Sequence, residues 1–200
     1  MHEDSGLRER SKARRRDAII RAGMKLFAER GYNATTIADI AAAADVAPRT
    51  VTMYFPSKQD IAMARFAAMV DSLTGALCGR APGESVTEVV GRWIRTDGQC
   101  ADRDLKELQQ RMFAANPELN ALRNTLMAEP ITKGAELIAI DTGAAPGDPG
   151  PRIAAVTAGA VVLQLSEIPP GPQKDEAITA AMRFLDAGIA TLGPGRGCHP

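Results

Sequence analysis

Residues 46–58, VAPRTVTMYFPSK, put an arginine, two threonines, a methionine, a tyrosine and a lysine into a stretch too short to be a domain. If Val51 faces a core, Phe55 falls on the same side at helical spacing, and Val46 packs in from the preceding turn. Arg49 and Met53 then point farthest outward, with Thr50, Thr52 and Tyr54 on the flanks. Such a front suits base edges and phosphates, because arginine pairs with both guanine acceptors and hydroxyls serve bases and phosphates alike. Lys58 stands where a further helix begins, and the positive end of a helix favours phosphate. Upstream, RERSKARRR holds Arg8, Arg10, Lys12, Arg14, Arg15 and Arg16. Residues 1–58 carry 11 Lys and Arg against 7 Asp and Glu, whereas the rest carry 13 against 17. A basic head on an acidic body fits a polyanion partner, although a charge run alone equally fits a solvated face.

Other chemistries lack their residues. The only histidines, His2 and His199, lie in the tails, which removes histidine-based catalysis and most transition-metal sites. No G-x-S-x-G or P-loop pattern occurs. An enzyme is therefore not expected, nor a catalytic residue, a metal or a cofactor. Cys78, Cys100 and Cys198 form an odd set without a C-x-x-C pair and read as reduced thiols. No apolar run reaches the length of a membrane span, and the N-terminus lacks the apolar stretch of a signal peptide, so a cytoplasmic location without a membrane partner is expected.

The elements that position the front follow from periodicity and caps. Hydrophobic residues make up 45% of the chain but aromatics only 4%, so the core must be Ala, Leu, Ile, Val and Met, a composition that favours helices. KARRRDAIIRAGMKLFAERGY reads as a helix with Ile19, Gly23, Leu26 and Phe27 on one face, Ile20 beside them, and Gly31 as its C-cap. Gly23 in mid-helix points to close packing. Thr36, with Asp39 three residues on, opens a second helix through a capping box, and Ile37, Ile40, Ala41 and Ala44 form its apolar stripe. Asp45 must take the left-handed turn conformation, and Pro48 suits the first position of the next helix. Two short helices across a tight turn match the helix-turn-helix pattern. Ser57 and Asp60 form another cap.

LFAERGYNATTIADIAAAADVAPRTVTMYFPSKQDI resembles the DNA-binding domain of the tetracycline-repressor-like (TetR-family) regulators, of an actinobacterial type, over about residues 12–62. The linked features are L-F-x-x-x-G-Y/F, T-T-x-x-x-I-A, A-x-V and Y-F-P-S-K at fixed spacing. The resemblance implies an all-α protein with an N-terminal helix-turn-helix three-helix domain and a C-terminal helical bundle for ligand binding and dimerisation. It implies base reading by Pro48, Arg49, Thr52 and Met53, phosphate contacts from Thr36, Thr50, Tyr54 and Lys58, and a DNA arm containing Arg14, Arg15 and Arg16. Two positions depart from the family's pattern: Ala47 replaces a capping Ser or Thr, and Thr52 replaces an aromatic. Both bear on which operator is read.

The division expected is a flexible basic arm over 1–11, a helix-turn-helix domain over 12–56, a ligand-binding and dimerisation domain over 57–193 and a flexible tail over 194–200. Pro130 should kink or split a long helical pattern. IAAVTAGAVVLQLSEI is apolar nearly all round, as in a helix buried on every side. By resemblance, the last two helices, about 152–192, make a homodimer on double-stranded operator DNA. Trp93, Met112, Phe113, Leu126, Met127 and Leu165 are candidate liners of a pocket for a small hydrophobic effector. Arg92, Arg95 and Arg123 could meet an acidic group there. The function expected is a ligand-responsive regulator, in the first instance a repressor released from a palindromic operator. The alternative is a small-molecule-binding bundle whose head has lost sequence-specific DNA binding.

Overall fold

Ten helices and no strand make up the described residues of the computed structural model, which are 3–100 and 102–192, with side chains at all but 3–7 and 97–100. His2, Cys198, His199 and the expected tail over 194–200 lie outside the described residues, as does the Cys100 side chain. The chain forms two compact units.

The first unit holds residues 1–67 and 102–123. It contains α1 (Glu3–Arg30), α2 (Ile37–Ala43), α3 (Pro48–Tyr54), the first part of α4 (Lys58–Cys78), α6 (Arg103–Ala115) and most of α7 (Glu118–Leu126). Its core is Ile19, Met24, Phe27, Ile40, Val51, Ile61, Met112 and Leu119, all essentially without exposure. A fully buried side chain of this kind contributes about 1.5–3 kcal/mol. Gly23 is buried in mid-helix because a Cβ there would stand 2.6 Å from the Ile61 side chain. Gly31 ends α1 with φ +89°, and its N–H bonds the Phe27 carbonyl at 3.1 Å. The arm expected to be flexible over 1–11 is instead helical from Glu3. The stretch LRERSKARRR consists mostly of strong helix formers without proline, so α1 propagates through it.

This unit also departs from the expected division at residue 56. α6 and the start of α7 pack with the head, because α1 uses a second face against α6.

The second unit holds residues 68–101 and 124–200. It contains the rest of α4, α5 (Val86–Cys100), the end of α7, α8 (Ala128–Thr142), α9 (Gly150–Glu167) and α10 (Pro172–Ala190). α8 packs most extensively on α9, which also meets α5 and α10. Pro130 acts as expected: helix α7 stops at Leu126, α8 starts at Ala128, and the proline sits in its first turn, where a missing N–H costs nothing. α9 is not buried on every side within the chain. Ala155, Ala158, Gly159, Val162 and Leu165 are buried, but Ile153 is 63% and Val156 46% exposed. Phe184 on α10 is 68% exposed. α4 is, by length and composition, apolar enough to cross a membrane. The sequence expectation missed this because it weighed unbroken apolar runs. The helix's apolar side chains Ile61, Phe66, Val70, Leu73 and Leu77 are buried within the protein, as in a core helix.

Candidate nucleic-acid interface

The helix-turn-helix is built from local bonds. Thr36 is extended at the N-cap of α2, and its Oγ accepts from the Asp39 N–H at 3.2 Å. The Asp39 carboxylate accepts from the Thr36 N–H at 2.8 Å and from its hydroxyl at 2.6 Å. These bonds hold the Asp39 carboxyl below the usual carboxylate range. In the turn, Asp45 adopts φ 53°, as its position demands, and Val46 N–H bonds the Ala41 carbonyl at 3.0 Å. Ala47 supplies no side-chain cap to α3, and Pro48 occupies its first turn.

α3 then sorts its residues as its period requires. Val51 is fully buried and Phe55, its C-cap, nearly so. Pro48, Arg49, Thr52 and Met53 are exposed, Met53 at 73%, while Thr50 and Tyr54 are half-buried. None of the six candidate contacts on α3 is buried. The Thr52 hydroxyl donates to the Arg49 carbonyl at 3.1 Å, which leaves its oxygen to accept from a partner.

The residues around α3 divide. The Thr36 hydroxyl is taken up by its own capping box. Ser57 and Asp60 form a second box at the start of α4, with Ser57 N–H donating to the carboxylate at 2.9 Å. The Lys58 ammonium is held by the loop between α1 and α2. It donates to the carbonyls of Tyr32 at 2.8 Å, Thr35 at 3.1 Å and Asn33 at 3.4 Å, and lies 4.4 Å from the Tyr32 ring centroid. Arg14, Arg15 and Arg16 are all exposed on α1, and Arg16 closes over the Phe55 ring at 5.2 Å.

A brace between α1 and α6 was missed in the sequence. Asn116, 2% exposed, donates to the carbonyls of Phe27 at 2.9 Å and Met112 at 2.7 Å, and accepts from the Tyr32 N–H at 2.6 Å. At the other end of α6, Asp102 caps the helix through the Leu105 N–H at 3.2 Å and pairs with Arg21 of α1. Asn33 bonds Glu118 at 3.2 Å. The only local hint is Asn116-Pro117, a helix-stop pair that says nothing about the partner across the unit.

The stretch from Ile19 to Ala64, which holds the packed part of α1, the helix-turn-helix and the first turns of α4, matches the family model described as bacterial regulatory proteins, tetR family. Residues 19–64 form a tetR-family DNA-binding domain. A curated relative, the HTH-type transcriptional regulator TcmR of Streptomyces glaucescens, is 32% identical over 133 residues. That alignment takes in 66% of this chain and spans only 59% of the relative's length. Two solved structures share the fold. NalD of Pseudomonas aeruginosa, the secondary repressor of the MexAB-OprM multidrug efflux pump, is 21% identical with a TM-score of 0.60, covering 87% of this chain and 96% of its own. Thermus thermophilus FadR, a repressor solved with lauroyl-CoA, is 25% identical with a TM-score of 0.54, covering 92% and 98%. The family and its characterised relatives are regulators rather than enzymes. Among the described residues no three His, Cys, Asp or Glu side chains converge on a metal position, and Cys78 is free and exposed.

The second unit holds a narrow, half-open apolar pocket of about 20 Å³, room for about one water. Leu73 and Leu77 of α4, Val86 and Val90 of α5, Met127, Pro130, Ile131 and Gly134 around α8, and Ala155, Ala158, Gly159 and Val162 of α9 line it. Of the six residues expected to line a pocket, Met127 lines this one. Trp93 is buried on α5, where its indole N–H donates to the Ser72 hydroxyl at 3.0 Å. Leu165 is buried on α9 and Leu126 half-buried at the end of α7. Met112 and Phe113 belong to the first unit, where Phe113 meets Phe66 edge-on and Arg123 lies 4.6 Å from its ring centroid. Arg92 pairs with Glu84 at 2.8 Å, and Arg95 donates to Thr179 at 3.3 Å. A second, open groove of about 320 Å³ in the same unit is lined by Ser85, Val86, Thr87, Ile138, Asp141, Thr142, Asp186, Ile189 and Ala190.

Proposed function

We propose that the chain is a ligand-responsive transcriptional repressor that binds a palindromic operator as a homodimer and leaves it when a small lipophilic effector enters the second unit. The observation that carries the reading is α3, a tetR-family recognition helix locked by Val51 and Phe55 with Arg49, Thr52 and Met53 on its free front. Arg49 is the base reader, Pro48, Thr52 and Met53 shape the rest of the contact, and Thr50 and Tyr54 lie where the phosphates pass. The exposed apolar residues Ile153 and Val156 on α9 and Phe184 on α10 support a homodimer through the last two helices. Two recognition helices would then meet half-sites about 34–36 Å apart. Such a protein works where its DNA is, in the cytoplasm.

The cavity supports an apolar effector, since twelve mostly aliphatic residues line it and small ones, Gly134, Ala155, Ala158 and Gly159, leave it thin walls. FadR's lauroyl-CoA makes an acyl thioester the first candidate to try. At about 20 Å³ the cavity must widen to admit one, so an effector would select an expanded state of the unit. α4 contributes to both units, which gives that expansion a covalent route to the head. One observation favours the alternative reading, a ligand-binding bundle with a disabled head: Ala47 leaves α3 without a side-chain cap, at a typical cost of about 1 kcal/mol.

Binding to DNA from upstream of the gene, compared with random DNA across a salt titration, separates the two readings. Sequence-selective binding with a steep salt slope supports the repressor, and equal binding to both duplexes overturns it. Trp93, the only tryptophan, sits on the same helix as Val86 and Val90 and reports effector binding by fluorescence. Operator DNA should weaken that binding by the factor with which effector weakens the operator, a coupling of about 1–3 kcal/mol. Equal effector affinity with and without DNA overturns the induction step.

A further inference from the structure

The open groove of the second unit has a lining sorted by hydrogen-bond sense. Thr87, 2% exposed, donates its hydroxyl to the Asp186 carboxylate. The Ser85 hydroxyl, 3.0 Å from the Thr87 oxygen, must then be the donor of that pair. Buried Thr142 donates to the Ile138 carbonyl at 2.7 Å. Every side-chain hydroxyl in the lining thus spends its hydrogen inside the protein and keeps only oxygen lone pairs for a guest. The two carboxylates, Asp141 and Asp186, also only accept. Arg80 pairs with Asp141 but does not line the groove, and among the described residues no cation pairs with Asp186.

Helix ends reinforce the sign. α8 finishes at Thr142 and α10 at Ala190, both in the lining, and the C-terminal end of a helix carries partial negative charge. The start of α5 reaches the groove as well, but it brings its own acid. There the Ser85 N–H donates to the Glu88 carboxylate at 2.7 Å, and the Glu88 N–H to the Ser85 oxygen at 3.2 Å. The groove therefore accepts hydrogen bonds and disfavours anions.

This groove adjoins the narrow apolar pocket, since Val86 lines both. On α8, Pro130 and Gly134 line the pocket, and Ile138, Asp141 and Thr142 line the groove. Steps of three and four residues share a helix face, so one stripe of α8 runs from pocket to groove. From Gly134 to Asp141 the helix advances about 10 Å, the reach of a medium-length alkyl chain. Asp186 stands about 200° round α10 from Phe184, so the groove lies off the face proposed for the homodimer.

We propose that groove and pocket form one amphiphile site, in which the pocket takes an apolar chain and the groove a protonated amine. The inference rests on the induction reading and narrows it. The phosphates of an acyl-CoA would meet two carboxylates and two helix C-termini, whereas an ammonium, with donors only, finds acceptors. Asp186 is the counter-ion, and Thr87 positions it.

The test is calorimetric titration of the full chain with decylamine, decanol and decanoate, which share a chain and differ in the head. Wild type should bind the amine about tenfold more tightly than the alcohol, and the decanoate most weakly. Butylamine, the same charge on a short chain, should bind far more weakly than decylamine. Asp186→Asn keeps an oxygen for Thr87 and removes the charge, so it should bring the amine down to the affinity of the alcohol. Gly134→Ala adds a methyl to the pocket wall 3.7 Å from the Ala155 Cβ, an ordinary contact, and should weaken amine and alcohol alike. Glu176→Gln, at the other end of α10, should change neither. A loss there equal to that of Asp186→Asn would mean diffuse charge and overturn the proposal. So would decanoate or lauroyl-CoA bound as tightly as decylamine, or an amine affinity unmoved by Asp186→Asn. Operator release separates this inference from the reading beneath it. Lauroyl-CoA that releases the operator while decylamine fails to bind overturns the amine head and keeps induction. Decylamine that binds as expected and leaves the operator in place keeps the site and overturns its part in induction.

Discussion

The Lys58 ammonium donates to the Tyr32 carbonyl at 2.8 Å while lying over the ring of the same residue. With the Asn33 and Thr35 carbonyls, this uses all three of its N–H donors. A lysine expected to hold phosphate instead fastens the loop between α1 and α2 to the start of α4. Lys58→Met should destabilise the head by about 1–3 kcal/mol, the scale of hydrogen bonds to a charged group. The salt slope of DNA binding should stay unchanged in the same variant. A slope lowered by about one unit per subunit, with unaltered melting, would return Lys58 to the phosphate backbone.

Arg49 should set specificity. Arg49→Ala should weaken operator binding by about 1–3 kcal/mol per half-site and relax base preference, with a smaller loss on random DNA. Competition binding against single-base operator variants measures this. Equal loss on all sequences would make Arg49 a phosphate contact.

Asp102 should make the head acid-sensitive. The hydrogen bond from Arg21, then that from the Leu105 N–H, hold its carboxyl below the usual range. A depressed carboxyl stabilises fully above its unfolded pKa of about 3.9, and that contribution is lost as pH falls through the lower folded value. Asp102→Asn should therefore melt below wild type at neutral pH, and the two melting curves should converge at acid pH. A gap that stays constant across the range would exclude this ionisation as the cause.

Phe184→Glu should abolish the proposed dimer. The residue is 68% exposed in the single chain, so the fold should survive, whereas a charge placed in an apolar interface is costly. Sedimentation should show monomers, and operator affinity should fall toward that of one half-site. A dimer that persists would move the interface off this face of α10.

What the sequence disclosed was local. The Thr36–Asp39 box, the left-handed Asp45, Pro48 at the start of α3 and the split at Pro130 each depend on a few neighbouring residues, and each was legible. So was the sorting of α3, because one period fixes Val51 inward and Arg49 outward. The carbonyl partners of Lys58 were not legible because they lie more than twenty residues upstream, across a turn whose carbonyls carry no signature in the side chains. Met112 and Phe113 went to the wrong unit for the same reason: amphipathic spacing shows that a residue is buried but not against what. The half-open face of α9 was hidden by composition, since an aliphatic residue reads alike whether its own chain or a second one covers it. Asn116 gave no warning at all, as nothing beside it in the chain distinguishes a buried amide from an exposed one.

The reading head is assembled from pieces that the ribosome delivers far apart. Residues 1–67 emerge first, yet the Phe27 carbonyl and the Tyr32 N–H wait for Asn116, and Arg21 waits for Asp102. α5 must pass out in between, although it belongs to the other unit. A nascent chain that ends at residue 67 holds every candidate DNA contact and still lacks the helix that closes its core. During synthesis the head thus stays unfinished until residue 123 is out, by which point the second unit is already part-made.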